Sequence, residues 1–343
     1  MFIVEALGKA LSLPSVSQNW LLTKMKKLKF KSKSTIGEYI GKKIITINSF
    51  AALFAILLIF VFIFKEALPI FYDEFIQEEV SVEKMIFKQS FAEGRDAKFS
   101  WQPNSDNPRY SLLPLFVGTL KAALIAMLFA VPLGVGGAIY SSQFASKRMR
   151  EIIKPVIELL SGIPSVVLGF FALIVLATFL QNSFGFTYRL NSINAGIALG
   201  LAVIPIVFTI SEDALISVPN SLKDAALALG ANRWQVSFTM TLPAAFPGIA
   251  AGIVLGFGRA IGETMIVLMA SGNAAIISEN FGDSIRTFSA TIAAELAEVV
   301  FGSAHYSVLF FLGTLLFVFT FLINIGGDII LNKLKGKMQG EQS

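Results

Sequence analysis

The chain has 343 residues, of which 55% are hydrophobic and only 15% charged, and its mean hydropathy is +0.70. A water-soluble domain carries roughly 25% charged residues, so this composition demands lipid as part of the solvent. The lack of Cys excludes disulfides, thiolate metal sites and cysteine nucleophiles, and a single His, His305, leaves no room for a histidine-based metal centre.

Residues 1–43 hold nine basic residues against Glu5 and Glu38. They form an N-terminal extension expected on the cytoplasmic side. Its first apolar stretch is short and interrupted by Glu5, Lys9 and Pro14, so it does not read as a cleaved signal peptide. Phe2–Leu13 suits a short interfacial helix, and Lys24–Lys33 suits either an anionic lipid surface or a solvated tail that only fixes topology. The first membrane span is Ile44–Phe64, bracketed by Lys42, Lys43 and Lys65. Segment 65–111 carries six basic and nine acidic residues together with Trp101, Pro103 and Pro108, and is expected to be a packed extracytoplasmic loop.

Five further spans follow at about Leu112–Tyr140, Val156–Leu180, Ile193–Ser211, Ala244–Ala270 and Tyr306–Ile330. Each supplies the ~20 apolar residues that a ~30 Å hydrocarbon core requires. The basic residues Lys147, Arg148, Arg150 and Lys154, and a 331–343 tail with Lys333, Lys335 and Lys337, mark cytoplasmic segments. The expected product is an all-α polytopic protein with six transmembrane helices and both termini cytoplasmic. The net charge of +5 is then a topology signal, and no nucleic-acid partner is implied.

Between the fourth and fifth spans, residues 221–241 read as ordered structure. Ser221 is a candidate N-cap with Asp224 three residues later, and Ala225, Ala226, Leu227, Ala228 and Leu229 favour helix. Gly230 supplies a stop where a positive φ is cheap. A second short helix, Asn232–Met240, is expected before Pro243 opens the fifth span. Such a helix–Gly–helix element is either a shape another protein can grip or a plain connector.

The pattern Asp224-Ala225-Ala226, Gly230, Met240-Thr241-Leu242-Pro243 resembles the E-A-A-x3-G-x9-I-x-L-P motif of ABC-importer permeases, with Asp for Glu and Met for Ile. Gly258-Arg259-Ala260-Ile261-Gly262-Glu263-Thr264-Met265 is similar to the G-R-A-x-G-E-T-M signature of phosphate-specific permeases. Ser161-Gly162-Ile163-Pro164-Ser165-Val166-Val167 is similar to their G-I-P-S-V-V stretch, and Trp101-Gln102-Pro103 with Leu113-Pro114 and Gly118-Thr119-Leu120 resembles the entry to their second span. Of the two homologous subunits in that family, the Glu-Thr-Met ending and the Trp-x-Pro segment are closer to PstC than to PstA. The resemblance covers about residues 99–330 and implies a type I ABC-importer permease (MetI-like) core over 112–330, with Asp224, Ala225, Ala226 and Gly230 in an ATPase-coupling helix. It also implies a second, PstA-like permease, an ATPase dimer and an extracytoplasmic phosphate-binding protein. No cofactor is expected on this chain, since no G-x-x-x-x-G-K-[ST] run occurs; ATP and Mg would sit on the partner ATPase, and the chain is not expected to be an enzyme.

Arg259 and Glu263 lie deep in the fifth apolar run, where one Arg costs about 2.5–3.5 kcal/mol on insertion scales. Four residues apart, they would share one helix face. Two readings are open: a self-neutralising internal pair, or a substrate path. In the second, the Arg259 fork grips an oxyanion and Glu263 both holds Arg259 and accepts a hydrogen bond from a protonated phosphate oxygen. Sulfate has no such proton and would meet an uncompensated carboxylate. Ser161 and Ser165 flank Pro164, whose kink leaves room for water or an anion; packing alone would explain them too.

Glu158 is given no substrate role. Glu212, Asp213 and Asp224 cluster where they can pair with Arg233 or with basic residues of an ATPase, neither being favoured. Glu279, Asp283, Glu295 and Glu298 lie on the outer side, where solvation is favoured over docking a binding protein, and His305 is expected to be an interfacial side chain. Other cargoes (sulfate, molybdate, phosphonate) and an ion-gradient-driven carrier without an ATPase remain alternatives.

Overall fold

In a computed structural model, residues 36–89 and 98–340 are described. The expectations for Phe2–Leu13 and Lys24–Lys33 lie outside the described residues. The chain divides into two units, Met1–Ile59 and Phe60–Ser343. In the first, residues 36–59 are one continuous helix whose apolar side chains from Ile44 to Ile59 are exposed, as suits a lipid-facing segment.

The helices of the second unit, and the β-hairpin among them, follow the apolar pattern. The first helix, α1 (Ile36–Ala67), is succeeded by short α2 (Pro69–Tyr72), α3 (Glu74–Glu79) and α4 (Val82–Ile86) and by a hairpin of β1 (Trp101–Gln102) and β2 (Arg109–Tyr110). Asp73 and Ser81 cap α3 and α4, accepting from Phe75 N at 3.0 Å and Lys84 N at 3.3 Å. Ile70, Ile76, Val80, Met85, Trp101 and Tyr110 bury themselves against Leu115, Phe288, Val308, Leu309 and Leu312. The described parts of this segment, 65–89 and 98–111, therefore pack as a folded cap on the helices that follow.

Next come α5 (Leu112–Ile139) with a π-helical continuation Tyr140–Phe144, α6 (Lys147–Gly162), α7 (Ser165–Phe171) with a π segment Ala172–Leu176, and α8 (Ala177–Phe184). They lead to α9 (Ser192–Ser217), α10 (Asn220–Ala228), α11 (Arg233–Gln235) with a π segment Val236–Thr241, α12 (Leu242–Gly262), α13 (Met265–Ala270), α14 (Phe288–Glu295) and α15 (Ala304–Gly340). Six helical stretches among the described residues are long and apolar enough to cross a membrane, and α9 is the most enclosed of them.

Helix association in lipid relies on close packing, because acyl chains are as apolar as Leu. The core obeys this rule. Ala122, Ala123, Ala126 and Ala130 of α5 meet Ala195, Ala198 and Ala202 of α9. A methyl group on Gly196 would stand 2.4 Å from Ile125, and one on Gly256 of α12 would stand 2.9 Å from Val207. Backbones thus approach where side chains vanish.

Two expected spans are revised. The third does not run unbroken from Val156: α6 stops at Gly162, Ile163 is extended (φ −69°, ψ 124°), and a new helix starts at Ser165 after Pro164. Proline biases the preceding residue away from helix, which explains the stop. The fifth does not run unbroken from Ala244 to Ala270: Glu263 is extended (φ −68°, ψ 135°), which separates α12 from α13. The last helix continues to Gly340, past the expected end at Ile330.

Candidate functional site

The helix after α9 is capped two residues earlier than expected. Pro219 occupies the N-cap of α10, and Ser221 caps nothing; it lies within the first helical turn. The stop is as expected, with Gly230 at φ +88°. Asn232 then makes the capping box: its side chain accepts from Gln235 N at 2.8 Å, and Gln235 accepts from Asn232 N at 2.9 Å. The following helix does not end at Met240. It continues through the π segment into α12. Asp224, Ala225 and Gly230 are exposed and Ala226 is buried. Leu227, Leu229, Trp234 and Phe238 are all exposed, Leu229 at 89%. The Trp234 and Phe238 rings touch in a tilted arrangement, with centroids 4.5 Å apart. Leu229 projects bare apolar surface at the tip of this element.

Glu212 does not pair with Arg233. It is buried, accepts from the Ser141 hydroxyl at 2.6 Å and pairs with Lys154 at 3.1 Å. Arg150 donates to the carbonyls of Ser141 (3.0 and 3.1 Å) and Ser142 (2.9 Å), satisfying the open end of the π segment. Lys223 of α10 is held below its usual pKa, by burial first and by the nearby Arg150 charge second. A polar cluster centred on the buried Ser141 and Glu212 therefore ties together α5, α6 and α9 next to α10, while Asp213, Asp224 and Glu158 are exposed.

Arg259 sits in the last turn of α12, with Leu255, Arg259 and Gly262 forming an exposed strip at helical spacing. A guanidinium at a helix C-terminus complements the dipole. Among the described residues its head group has no hydrogen bond and no ion pair, and the Glu263 carboxylate has none either. The expectation that Arg259 and Glu263 share a helix face is corrected, because the helix ends between them. Both the dry internal pair and the direct Arg259–Glu263 clamp are absent here.

The break at Glu263–Thr264 has neighbours. The Thr264 hydroxyl reaches the Gly262 carbonyl at 3.4 Å, and the Ser289 hydroxyl donates to the Glu263 carbonyl at 2.7 Å. Beside them lies a groove of about 540 Å³ lined by Gly262, Thr264, Ser289, Ile292, Ala293 and Leu296, among others. Helix α7 packs on α13, since a methyl on Gly169 would stand 3.1 Å from the Met265 carbonyl. Ser165, one turn before Gly169, and Glu263, two residues before Met265, therefore lie on adjoining elements. Ser161 belongs to the end of α6, is exposed, and turns its hydroxyl to the Glu158 carbonyl at 2.8 Å.

Three features escape a sequence reading. Lys121 of α5 donates to the carbonyls of Ser278 (3.0 Å) and Asn280 (2.6 Å) and lies 5.0 Å from the Phe281 ring centre; a lone Lys in an apolar run was the available signal. Ser289 is an ordinary serine by sequence. Glu295 is not a solvated carboxylate. It accepts from the Trp101 indole at 3.0 and 3.1 Å, pairs with Arg286, and meets His305 Nε2 at 2.8 Å. His305 is thus a partner of Glu295 and a neighbour of the Tyr110 ring, and not merely interfacial. Burial alone would raise the Glu295 pKa, but the His305 hydrogen bond, the Arg286 charge and the Trp101 indole outweigh it and hold the carboxyl below its ordinary value.

The described residues hold no group of three His, Cys, Asp or Glu arranged for a metal ion. The family of binding-protein-dependent transport system inner membrane components matches residues 130–338. A probable ABC transporter permease protein, YqgH of Bacillus subtilis, is 38% identical over 65% of this chain and 72% of its own length. The phosphate transport system permease protein PstC of Mesorhizobium japonicum is 36% identical over 65% of this chain and 73% of its own, and PstC of Xylella fastidiosa is 33% identical over 69% and 78%. Among solved structures, a bacterial alginate ABC transporter in complex with its pentasaccharide-bound periplasmic protein superposes with a TM-score of 0.55 at 16% identity, covering 87% of this chain and 98% of that one. That likeness fixes the fold as the all-α type I importer permease core. The resemblance read from the motifs holds, and the chain belongs to the binding-protein-dependent transport system inner membrane component family, among relatives of the PstC type.

Proposed function

We propose that this chain is a permease subunit of an ATP-driven importer of inorganic phosphate, with both termini cytoplasmic in the bacterial inner membrane. The carrying observation is Arg259: a permanent cation on a membrane-crossing helix, exposed on the single chain, with no counter-ion among the described residues. Lipid is a poor place for such a group. Its face therefore belongs against water and a second, PstA-like permease, with the guanidinium turned to the passing anion. Phosphate as the cargo is supported by the PstC relatives, which are named for its transport.

The chain's own residues divide the work. Arg259 offers a planar fork to two phosphate oxygens. Glu263, freed from the helix, accepts from a protonated oxygen and repels a fully ionised dianion. Ser165, and Ser161 at the end of the preceding helix, line the approach. Asp224, Ala225, Ala226 and Gly230 present the coupling helix to an ATPase dimer, which holds the ATP and Mg. An extracytoplasmic phosphate-binding protein delivers the anion at the other end. Closure of the ATPase pair rocks the spans and exposes the site to each side alternately.

The test is phosphate uptake into membranes carrying the whole transporter, with R259Q, R259K and E263Q. R259Q should abolish measurable uptake and R259K should reduce it strongly, because a point charge lacks the fork. Wild-type rate and affinity in R259Q would remove Arg259 from the path. Inhibition of labelled uptake by sulfate or molybdate as strong as by unlabelled phosphate would reassign the cargo. An uptake-competent preparation lacking a stoichiometric ATPase chain would point to a gradient-driven carrier.

A further inference from the structure

The chemistry assigned to Glu263 depends on a helix that is interrupted at that residue, so the cause of the interruption matters. No proline lies at Glu263, Thr264 or Met265. A backbone that leaves helical geometry in a membrane-crossing region needs new partners for its polar groups, each of which costs several kcal/mol if left bare. Among the described residues, the donor that reaches the break from another element is Ser289, whose hydroxyl stands 2.7 Å from the Glu263 carbonyl. Ser289 is 5% exposed, so water does not readily replace it.

Ser289 is itself held firmly. It lies in the first turn of α14, where Thr287 caps the helix by accepting from Ala290 N at 3.2 Å. The Phe288 amide donates to the Thr119 hydroxyl of α5 at 3.2 Å. A methyl on Gly118 would stand 2.1 Å from the Arg286 carbonyl, so only glycine lets α5 approach this closely. At the far end of α14, Glu295 is bound by Trp101, Arg286 and His305. Helix α14 is therefore anchored at both ends, and Ser289 is its contact with the break.

We propose that Ser289 is a positioning residue of the transport site: its hydroxyl holds the Glu263 backbone out of the helix and thereby sets the Glu263 carboxylate across from Arg259 for the anion. This rests on the proposed substrate path, and it adds a residue that touches neither the anion nor the guanidinium. Without the hydroxyl, the Glu263 carbonyl has no partner of this kind, and the segment 260–266 gains by winding back toward a continuous helix. That winding rotates the carboxylate away from its working position. Ser289→Thr keeps the donor.

Two measurements on the assembled transporter test this. In a double-mutant cycle on the kcat/KM of phosphate uptake, S289A should lower the value about tenfold with Glu263 present and less than twofold in an E263Q background, while S289T stays within about threefold of wild type. Equal losses in both backgrounds overturn the positioning role. In amide hydrogen exchange, S289A should change protection at residues 263–265 at least tenfold, with the protection of α9 unaltered; unchanged exchange at 263–265 overturns the anchoring. If E263Q alone transports like wild type, the substrate-path reading fails instead, and the exchange result then decides the anchoring by itself.

Discussion

The Trp101 indole N–H lies within hydrogen-bond distance of both carboxylate oxygens of Glu295, 3.0 Å from one and 3.1 Å from the other, across 194 positions of sequence. This contact joins the hairpin of segment 65–111 to α14, and Arg286 and His305 complete the ring around the carboxylate. Because Glu295 is only 15% exposed at its side chain, the charge depends on these partners for its solvation.

Removing that charge strands a guanidinium. Glu295→Ala should destabilise the second unit by about 3 kcal/mol, the scale for breaking a buried pair from one side. Trp101→Phe should cost about 1.5–3 kcal/mol, the worth of a hydrogen bond to a charged group. Thermal unfolding in detergent gives both numbers, and a Glu295→Ala melting temperature equal to wild type would dissolve the clamp.

The pH dependence has a definite sign. The Glu295 carboxyl is held below its ordinary value, so its contribution is complete above the unfolded value of about 4.3. It is lost only as pH falls through the lower folded value. Stability should therefore be flat on this account from pH 8 to 5 and fall below about 4. Tyr110 works at the other end. Burial first, and the Glu79 carboxylate accepting from its hydroxyl at 2.8 Å second, push the phenol up. Its stabilisation is present below the ordinary phenol range near 10 and is lost only at higher alkalinity. An ultraviolet titration should show Tyr110 ionising after the exposed tyrosines, and Y110F should remove that late step.

Two glycines separate sterics from backbone freedom. Gly230 has φ +88° and open space where a Cβ would point, whereas a Cβ on Gly118 meets the Arg286 carbonyl at 2.1 Å. G230A should cost about 1 kcal/mol and G230N less, since Asn tolerates the left-handed region. G118A should cost about 1–3 kcal/mol or prevent folding. Equal melting shifts for the two alanine variants would contradict this division.

The exposed tip of the helix–Gly–helix element offers a third kind of test. Leu229 and Trp234 are uncovered, so L229D should leave the chain folded yet reduce co-purification of an ATPase chain at least tenfold. Retained ATPase binding would show that the partner grips another surface.

The spans were legible because 20-residue apolar runs cannot be hidden, and Gly230 announced its turn by being a glycine after five helix formers. Pro164 announced a kink in the third span, but not the full interruption between α6 and α7. The break at Glu263 was not legible, since its partner Ser289 comes 26 residues later, no proline marks the bend, and Gly262 just before it is one of several glycines in the same run. Nor was the Glu212 pairing: Lys154 and Ser141 approach from two other helices, and local spacing carries no record of them. Arg259 shows the middle case. Its depth in an apolar run identified it, while its freedom from Glu263 required coordinates.

The π segment Val236–Thr241 lies at the end of the helix–Gly–helix element, directly before α12, and it gives this region one residue of slack. A π turn holds about one residue more than an α turn, so deleting a single residue from it would let an ordinary α turn form while α12 kept its azimuth. The regular helix after Leu242 has no surplus residue, and a deletion there would swing every later side chain by about 100° and shift it by about 1.5 Å relative to the residues before it. A one-residue deletion within Val236–Thr241 should thus leave Arg259 facing its present neighbours and phosphate uptake largely intact. One between Leu242 and Arg259 should abolish uptake in a subunit that still folds, a failure of azimuth and not of stability.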